Sequence, residues 1–154
     1  MNKTTNYFFD MKTLQIGFVA FLFSLTTFAQ HTAYTNTNGT AIKGYDPVAY
    51  FTEQKAVEGN KNLAHEWSGS QWLFSSQANL DAFKANPEKY APQFGGFCAY
   101  GVSDNHKSPT DPNAWTIVDN KLYLNYNTKV KELWSKDIPK HIQKANEFWP
   151  VLNK

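Results

Sequence analysis

Two stretches of this 154-residue chain alternate apolar and polar positions with the two-residue period of a half-buried strand. In the first, His65 and Trp67 alternate with polar neighbours, Ser68-Gly69-Ser70 supplies a reversal, and Trp72 and Phe74 continue on the return. Residues 64–75 therefore predict a β-hairpin. The second runs from Trp115 to Val118, turns at Asp119-Asn120 and returns from Lys121 to Tyr126, with Leu122 and Leu124 facing one way and Tyr123 the other. Two shorter apolar runs, 48–51 and 97–102, predict short strands.

Elsewhere the period lengthens to that of a helix. Ser76 reads as an N-cap, Leu80 and Phe83 share a face, and the helix should stop near Asn86 because Pro87 restricts its predecessor. Pro87-Glu88-Lys89-Tyr90 opens a further turn of helix. Near the C-terminus Asn127 or Thr128 caps a stripe of Val130, Leu133 and Trp134. Pro139 kinks or restarts that helix, and Ile142, Ala145, Phe148 and Trp149 continue its buried face. The expectation is an α+β fold: a small single domain over residues 41–150 with two β-hairpins and a long kinked C-terminal helix.

The N-terminus is set apart from that domain. Met11-Lys12 precedes an apolar run over residues 14–25, and Thr27 and Ala29 fit the small-residue rule of a cleavage site. Residues 1–29 thus read as a secretory signal peptide. Phe8, Phe9 and Asp10 suit no cationic leader, so Met11 is the alternative start. The run is too short and interrupted for a membrane-spanning helix. Residues 30–40 are polar and read as a flexible lead-in. The expected destination is the periplasm or the exterior.

Charge narrows the partners. Removal of residues 1–29 takes away two lysines and one aspartate, so the formal charge falls from +2 to +1. Every basic residue is a lysine. Without arginine forks or a concentrated positive field, nucleic-acid binding is not expected.

One cysteine, Cys98, lies in the stretch Gly-Gly-Phe-Cys-Ala-Tyr-Gly over residues 95–101. A lone cysteine in an exported chain makes no internal disulfide, so the thiol is buried, paired with another molecule, or used. Tyr45, Tyr50, Phe97 and Tyr100 are candidates to line an apolar pocket around Cys98. His106, eight residues on, and His65, on the first hairpin, are the candidate imidazole partners. Thiolate with imidazole suits a soft metal such as copper or zinc, or a nucleophilic pair. The plain alternatives are a small buried hydrophobe at Cys98 and solvated histidines at His65, His106 and His141. His31, if cleavage left it first, would form a copper-chelating terminus. Asp46-Pro47 and Asp111-Pro112 read as turn initiators. No hydrolase triad signature, phosphate loop or paired zinc motif is visible.

The order of Gly44-Tyr45-Asp46-Pro47-Val48-Ala49-Tyr50-Phe51, then Trp72-Leu73-Phe74-Ser75-Ser76, then Phe83-Lys84-Ala85-Asn86-Pro87-Glu88-Lys89-Tyr90 resembles the YHS domain family. Within it the chain is most similar to small exported proteins that also carry a glycine-glycine-aromatic-cysteine stretch. The resemblance spans about residues 41–149. It implies kinship with small metal-binding modules, found beside heavy-metal transport ATPases and in some oxygenase subunits. In metal-binding relatives the first segment reads Asp-Pro-Val-Cys and the strand-to-helix junction carries two cysteines. Here those places hold Ala49, Ser75 and, approximately, Asn79, none of them a soft-metal ligand. The resulting expectation is an exported binding module whose pocket centres on Cys98 and takes a soft metal ion (copper or zinc) or a small ligand. The alternatives are a thiol-dependent redox or nucleophilic enzyme using Cys98, and a structural partner-binding domain with an inert cysteine.

Overall fold

The structure is a computed structural model that describes residues 34, 36–37 and 39–154. The expected signal segment, residues 1–29, and His31 lie outside the described residues. Two short strands, β1 (Asn36–Thr37) and β2 (Thr40–Ala41), precede the hairpin of β3 (Asn60–Trp67) and β4 (Ser70–Phe74). They form one sheet in the order β1-β2-β4-β3, with β2 parallel to β4 and the other pairs antiparallel. The β3–β4 turn is tight because Ser68 and Gly69 both take left-handed backbone, φ 52° and 74°, whose twist matches the flanking strands.

Tyr34 lies within the expected lead-in. Tyr34 packs against Trp67 and Trp72, ring centroids 5.3 and 5.1 Å away, and its phenol is pushed up to about 12 by burial, with the Glu88 charge adding. Aromatic area recovered from water therefore fixes part of a segment whose own composition is polar.

The expected strand at 48–51 is instead a short helix, α1 (Ala49–Thr52). Asp46 decides this. Its Oδ1 accepts the N–H groups of Val48 (2.8 Å) and Ala49 (3.3 Å), which turns the chain into helix where apolar content alone suggested extension. Helices α2 (Gln77–Ala85) and α3 (Pro87–Tyr90) follow β4 as expected, capped by the side chains of Ser76 and Asn86.

The expected strand at 97–102 is also a helix, α4 (Ala99–Ser103). It follows a turn in which Phe94, Gly95 and Gly96 all have positive φ. The second hairpin comprises β5 (Asp111–Val118) and β6 (Lys121–Asn125), closed by left-handed Asp119 and Asn120. Two helices end the chain, α5 (Thr128–Trp134) and α6 (Ile138–Leu152). Pro139 begins a new helix rather than kinking one, because Asp137 caps it by accepting the Lys140 N–H.

The architecture is α+β. Its apolar residues form two clusters, with the second hairpin as the wall between them. Tyr50, Trp72, Phe74 and Phe83 fill the first, together with Leu122 and Leu124 from one face of β6. Tyr123, from the other face, joins Phe94, Val102, Trp134 and Ala145 in the second. The alternation of β6 therefore has the facing expected of it, and both faces are buried. Leu133, expected in the buried stripe, is exposed. No helix among the described residues is long and apolar enough to cross a membrane.

Candidate functional site

The end of β6 and the start of α4 meet at Cys98. The left-handed turn at 94–96 delivers the chain, and the Cys98 N–H is then fixed to Ser108 O at 3.0 Å. Cys98 occupies the N-cap of α4, where its sulfur accepts the Gly101 N–H at 3.4 Å, the role a serine or aspartate usually plays. A second N–H, from Tyr126 just beyond β6, donates to the same sulfur at 3.2 Å. The thiol's own hydrogen is aimed at Asn125 Oδ1, 3.6 Å away. That oxygen also accepts the Tyr100 N–H at 3.2 Å, which fixes the orientation of the amide. Asn125 is fully buried, and its Nδ2 has no hydrogen-bond partner.

Cys98 is 1% exposed, yet it is not sealed in hydrocarbon. It lines a cavity of about 260 Å3 with Tyr100, Gly101, His106, Ser108, Tyr126 and Val130. His106 Nδ1 lies 3.3 Å from Asp104 O. A carbonyl only accepts, so Nδ1 carries a proton, and in the neutral ring Nε2 holds the lone pair. Nε2 in turn abuts Gly101, where a methyl on the α-carbon would sit 3.2 Å from it. The sulfur and the imidazole nitrogen thus both contact one glycine. A larger concavity, about 440 Å3 along α5, is lined by Thr128, Lys131, Glu132, Ser135 and Lys136 and offers neither sulfur nor imidazole.

Of the residues expected around this cavity, Cys98, Tyr100 and His106 line it. The others are elsewhere. Tyr50 is buried in the first cluster and donates to Pro112 O at 2.9 Å; burial holds its phenol far above the usual range, with the charges of Tyr45, Asp111 and Asp46 adding. Tyr45 packs on the same cluster, its hydroxyl 3.4 Å from Glu58 Oε1. Phe97 packs against Trp149, with the Lys107 ammonium 5.2 Å from its ring centroid. His65 faces Phe83 across 6.4 Å. His141, read as solvated, is half-buried. Ser103 Oγ spends its one proton on Tyr100 O at 2.7 Å and therefore accepts Nδ1–H of His141 at 3.1 Å. Burial lowers His141 below the ordinary histidine range, with Lys140 and Lys144 reinforcing and Asp137 opposing.

Sequence reading missed Gly101, Ser108, Tyr126, Val130 and Asn125. A signal for Asn125 was present: an amide ending the alternation of a strand buried on both faces has to find partners inside.

The positions where metal-binding relatives carry cysteines also converge, on Asp46. This carboxylate is fully buried. Beyond the two N–H groups of α1, its Oδ2 accepts Ser75 N–H (2.8 Å), Ser75 Oγ–H (2.7 Å) and Asn79 Nδ2–H (2.7 Å). Ala49, Ser75 and Asn79 are thereby donors to a carboxylate and supply no ligand for a soft ion, so this place does not fit a soft metal. Asp46 starts a turn, as expected, and also ties that turn to the β4–α2 junction. Among the described residues no three histidine, cysteine, aspartate or glutamate side chains gather as a metal cluster.

Residues 48–94 match the family model of the YHS domain. The match is shorter than the 41–149 resemblance. It covers α1, β3, β4, α2 and α3 and ends at Phe94, before the Cys98 cavity. No curated protein and no solved structure gives a significant match to the chain.

Proposed function

We propose that this chain, which carries the YHS domain over residues 48–94, is an exported binding module whose own addition to that domain is a small soft-ligand site at Cys98 and His106. One observation carries the reading: the chain's single thiol and the His106 imidazole line one cavity, each in contact with Gly101.

Among soft metals the donor set favours copper(I) over zinc. Zinc sites take four ligands, or three and a water, whereas thiolate with imidazole is a sufficient pair for a monovalent soft ion. At about 260 Å3 the cavity falls below the usual range for drug-sized ligands, so an uncharged occupant would be a molecule of a few heavy atoms. Export rests on the leader-like pattern of residues 11–29.

Competition titration of the reduced protein against a chromophoric copper(I) chelator tests the reading. One equivalent should bind, Cys98→Ser should abolish uptake, and His106→Ala should weaken it strongly. Uptake that survives Cys98→Ser, or none in the unaltered chain, overturns it. Rapid alkylation of the native thiol at neutral pH would instead favour the nucleophile, for which His106 Nε2 is the available base. A thiol that alkylates only on unfolding would mark a structural cysteine.

A further inference from the structure

The Cys98 cavity does not end at Tyr126. A second cavity, about 400 Å3, lies on the other side of that residue and is lined by Lys43, Pro109, Thr110, Asp111, Tyr126 and Asn127. The two share their walls. Along one, His106 and Ser108 face the first cavity, and Pro109, Thr110 and Asp111, next in the chain, face the second. Along the other, Val130 faces the first, Asn127 the second and Tyr126 both. The first wall is held by Cys98 N–H on Ser108 O (3.0 Å) and Thr110 Oγ–H on Gly96 O (3.0 Å). The second is held by Tyr126 N–H on the sulfur. The two cavities adjoin at Tyr126, which is half-exposed, and together are referred to as one trough.

The ends differ in chemistry. At the Cys98 end the lining is mostly apolar, with one sulfur and one imidazole. At the far end an ammonium and a carboxylate line the same space without pairing; the one ion pair among the described residues is Lys55 with Glu53. Asp111 Oδ1 is occupied by Asn113 N–H (2.9 Å) and Nδ2–H (3.2 Å), which steadies the carboxylate without neutralising it. Lys43 is presented on a strained turn, since Ile42 and Lys43 both have left-handed backbone (φ 49° and 53°), a conformation β-branched residues seldom adopt.

We infer that the trough binds a small zwitterion of the α-amino-acid class, its carboxylate at Lys43, its ammonium at Asp111, and an apolar or sulfur-bearing side chain running past Tyr126 toward Cys98. An unpaired lysine and aspartate in one cavity are complementary to a ligand carrying both charges, and to a simple acid or amine only by half. This goes beyond the soft-ion reading, because Lys43 and Asp111 carry it.

Amide-resolved NMR titration with four probes tests the inference: methionine, norleucine, 3-(methylthio)propylamine and 4-(methylthio)butanoate. Methionine and norleucine should shift the amide signals of Lys43, Asp111, Tyr126 and Asn127, and bind about tenfold or more tighter than the two singly charged probes, each of which forfeits one charge-assisted contact. Lys43→Gln and Asp111→Asn, with unfolding curves verifying their folds, should each weaken methionine by about tenfold. Equal binding of all four probes, shifts confined to other surfaces, or variants that bind methionine as well as the original chain would overturn the proposal. Copper(I) uptake is measured on the same variants. If the original chain takes no copper(I) yet binds methionine here, the soft-ion reading falls and this one stands. If copper(I) binds and the zwitterions do not, the reverse holds.

Discussion

The main-chain N–H of Tyr126 donates to Cys98 Sγ at 3.2 Å, across 28 residues of chain. Together with the Gly101 N–H it makes the sulfur a junction between β6 and α4. Cys98→Ala would leave both N–H groups without an acceptor at a site 1% exposed, and should cost about 2 to 3 kcal/mol of stability. Cys98→Ser keeps an acceptor and should cost clearly less. Urea unfolding of the two variants checks the order; equal losses would mean that the sulfur matters by volume alone.

Gly101→Ala tests the geometry between the thiol and the imidazole. Gly101 lies within α4, so its backbone tolerates a side chain. The added methyl would meet His106 Nε2 and His106 O at 3.2 Å and Ser108 Oγ at 3.4 Å, which forces His106 outward. The variant should fold, and its affinity for copper(I) should fall by about tenfold or more, as a displaced donor requires. Unchanged affinity would remove His106 from the site.

Asp46 accepts five donors while fully buried. Asp46→Ala strands the main-chain N–H groups of Val48, Ala49 and Ser75 and should cost about 3 kcal/mol or more. Asp46→Asn keeps the size but turns an acceptor toward being a donor, facing Ser75 and Asn79, and should also destabilise. Thermal unfolding measures both. A stability insensitive to either change would contradict the cross-link described here.

His141 sets a pH dependence. Burial, seconded by Lys140 and Lys144 and opposed by Asp137, lowers its affinity for a proton below the ordinary histidine range. As pH falls, the unfolded chain therefore binds this proton before the folded one does. The stability contribution is complete above the ordinary histidine value and is lost as pH drops through it toward the lowered folded value. Ser103 Oγ and the Tyr100 ring, 5.0 Å between ring centroids, are the other groups facing it. Unfolding midpoints from about pH 7.5 to about pH 5 should fall less steeply in His141→Gln than in the original chain. Identical slopes would refute the assignment.

Both hairpins, the caps at Ser76 and Asn127, and the opposed faces of Leu122 and Tyr123 were legible along the chain. These features depend on neighbours two to four residues away, and local patterning records such neighbours. The runs 48–51 and 97–102 were misread as strands for the complementary reason. Apolar content says that a segment is buried, but its helical form was set by Asp46 in one case and by a sulfur acting as an N-cap in the other.

The site divides in the same way. Sequence alone determined that any thiolate chemistry must use Cys98, because the chain holds no second thiol, and that Ala49, Ser75 and Asn79 offer no soft-metal ligand. Only the tertiary structure decided which side chains meet that sulfur. It brought His106 round through a loop tied at Ser108, and Asn125 and Tyr126 across from β6, while holding Tyr45, Tyr50 and His65 on the far cluster. A strand's register and a loop's anchoring are long-range facts, fixed when two apolar clusters close on opposite faces of one hairpin, and no local window of sequence contains both sides of that closure.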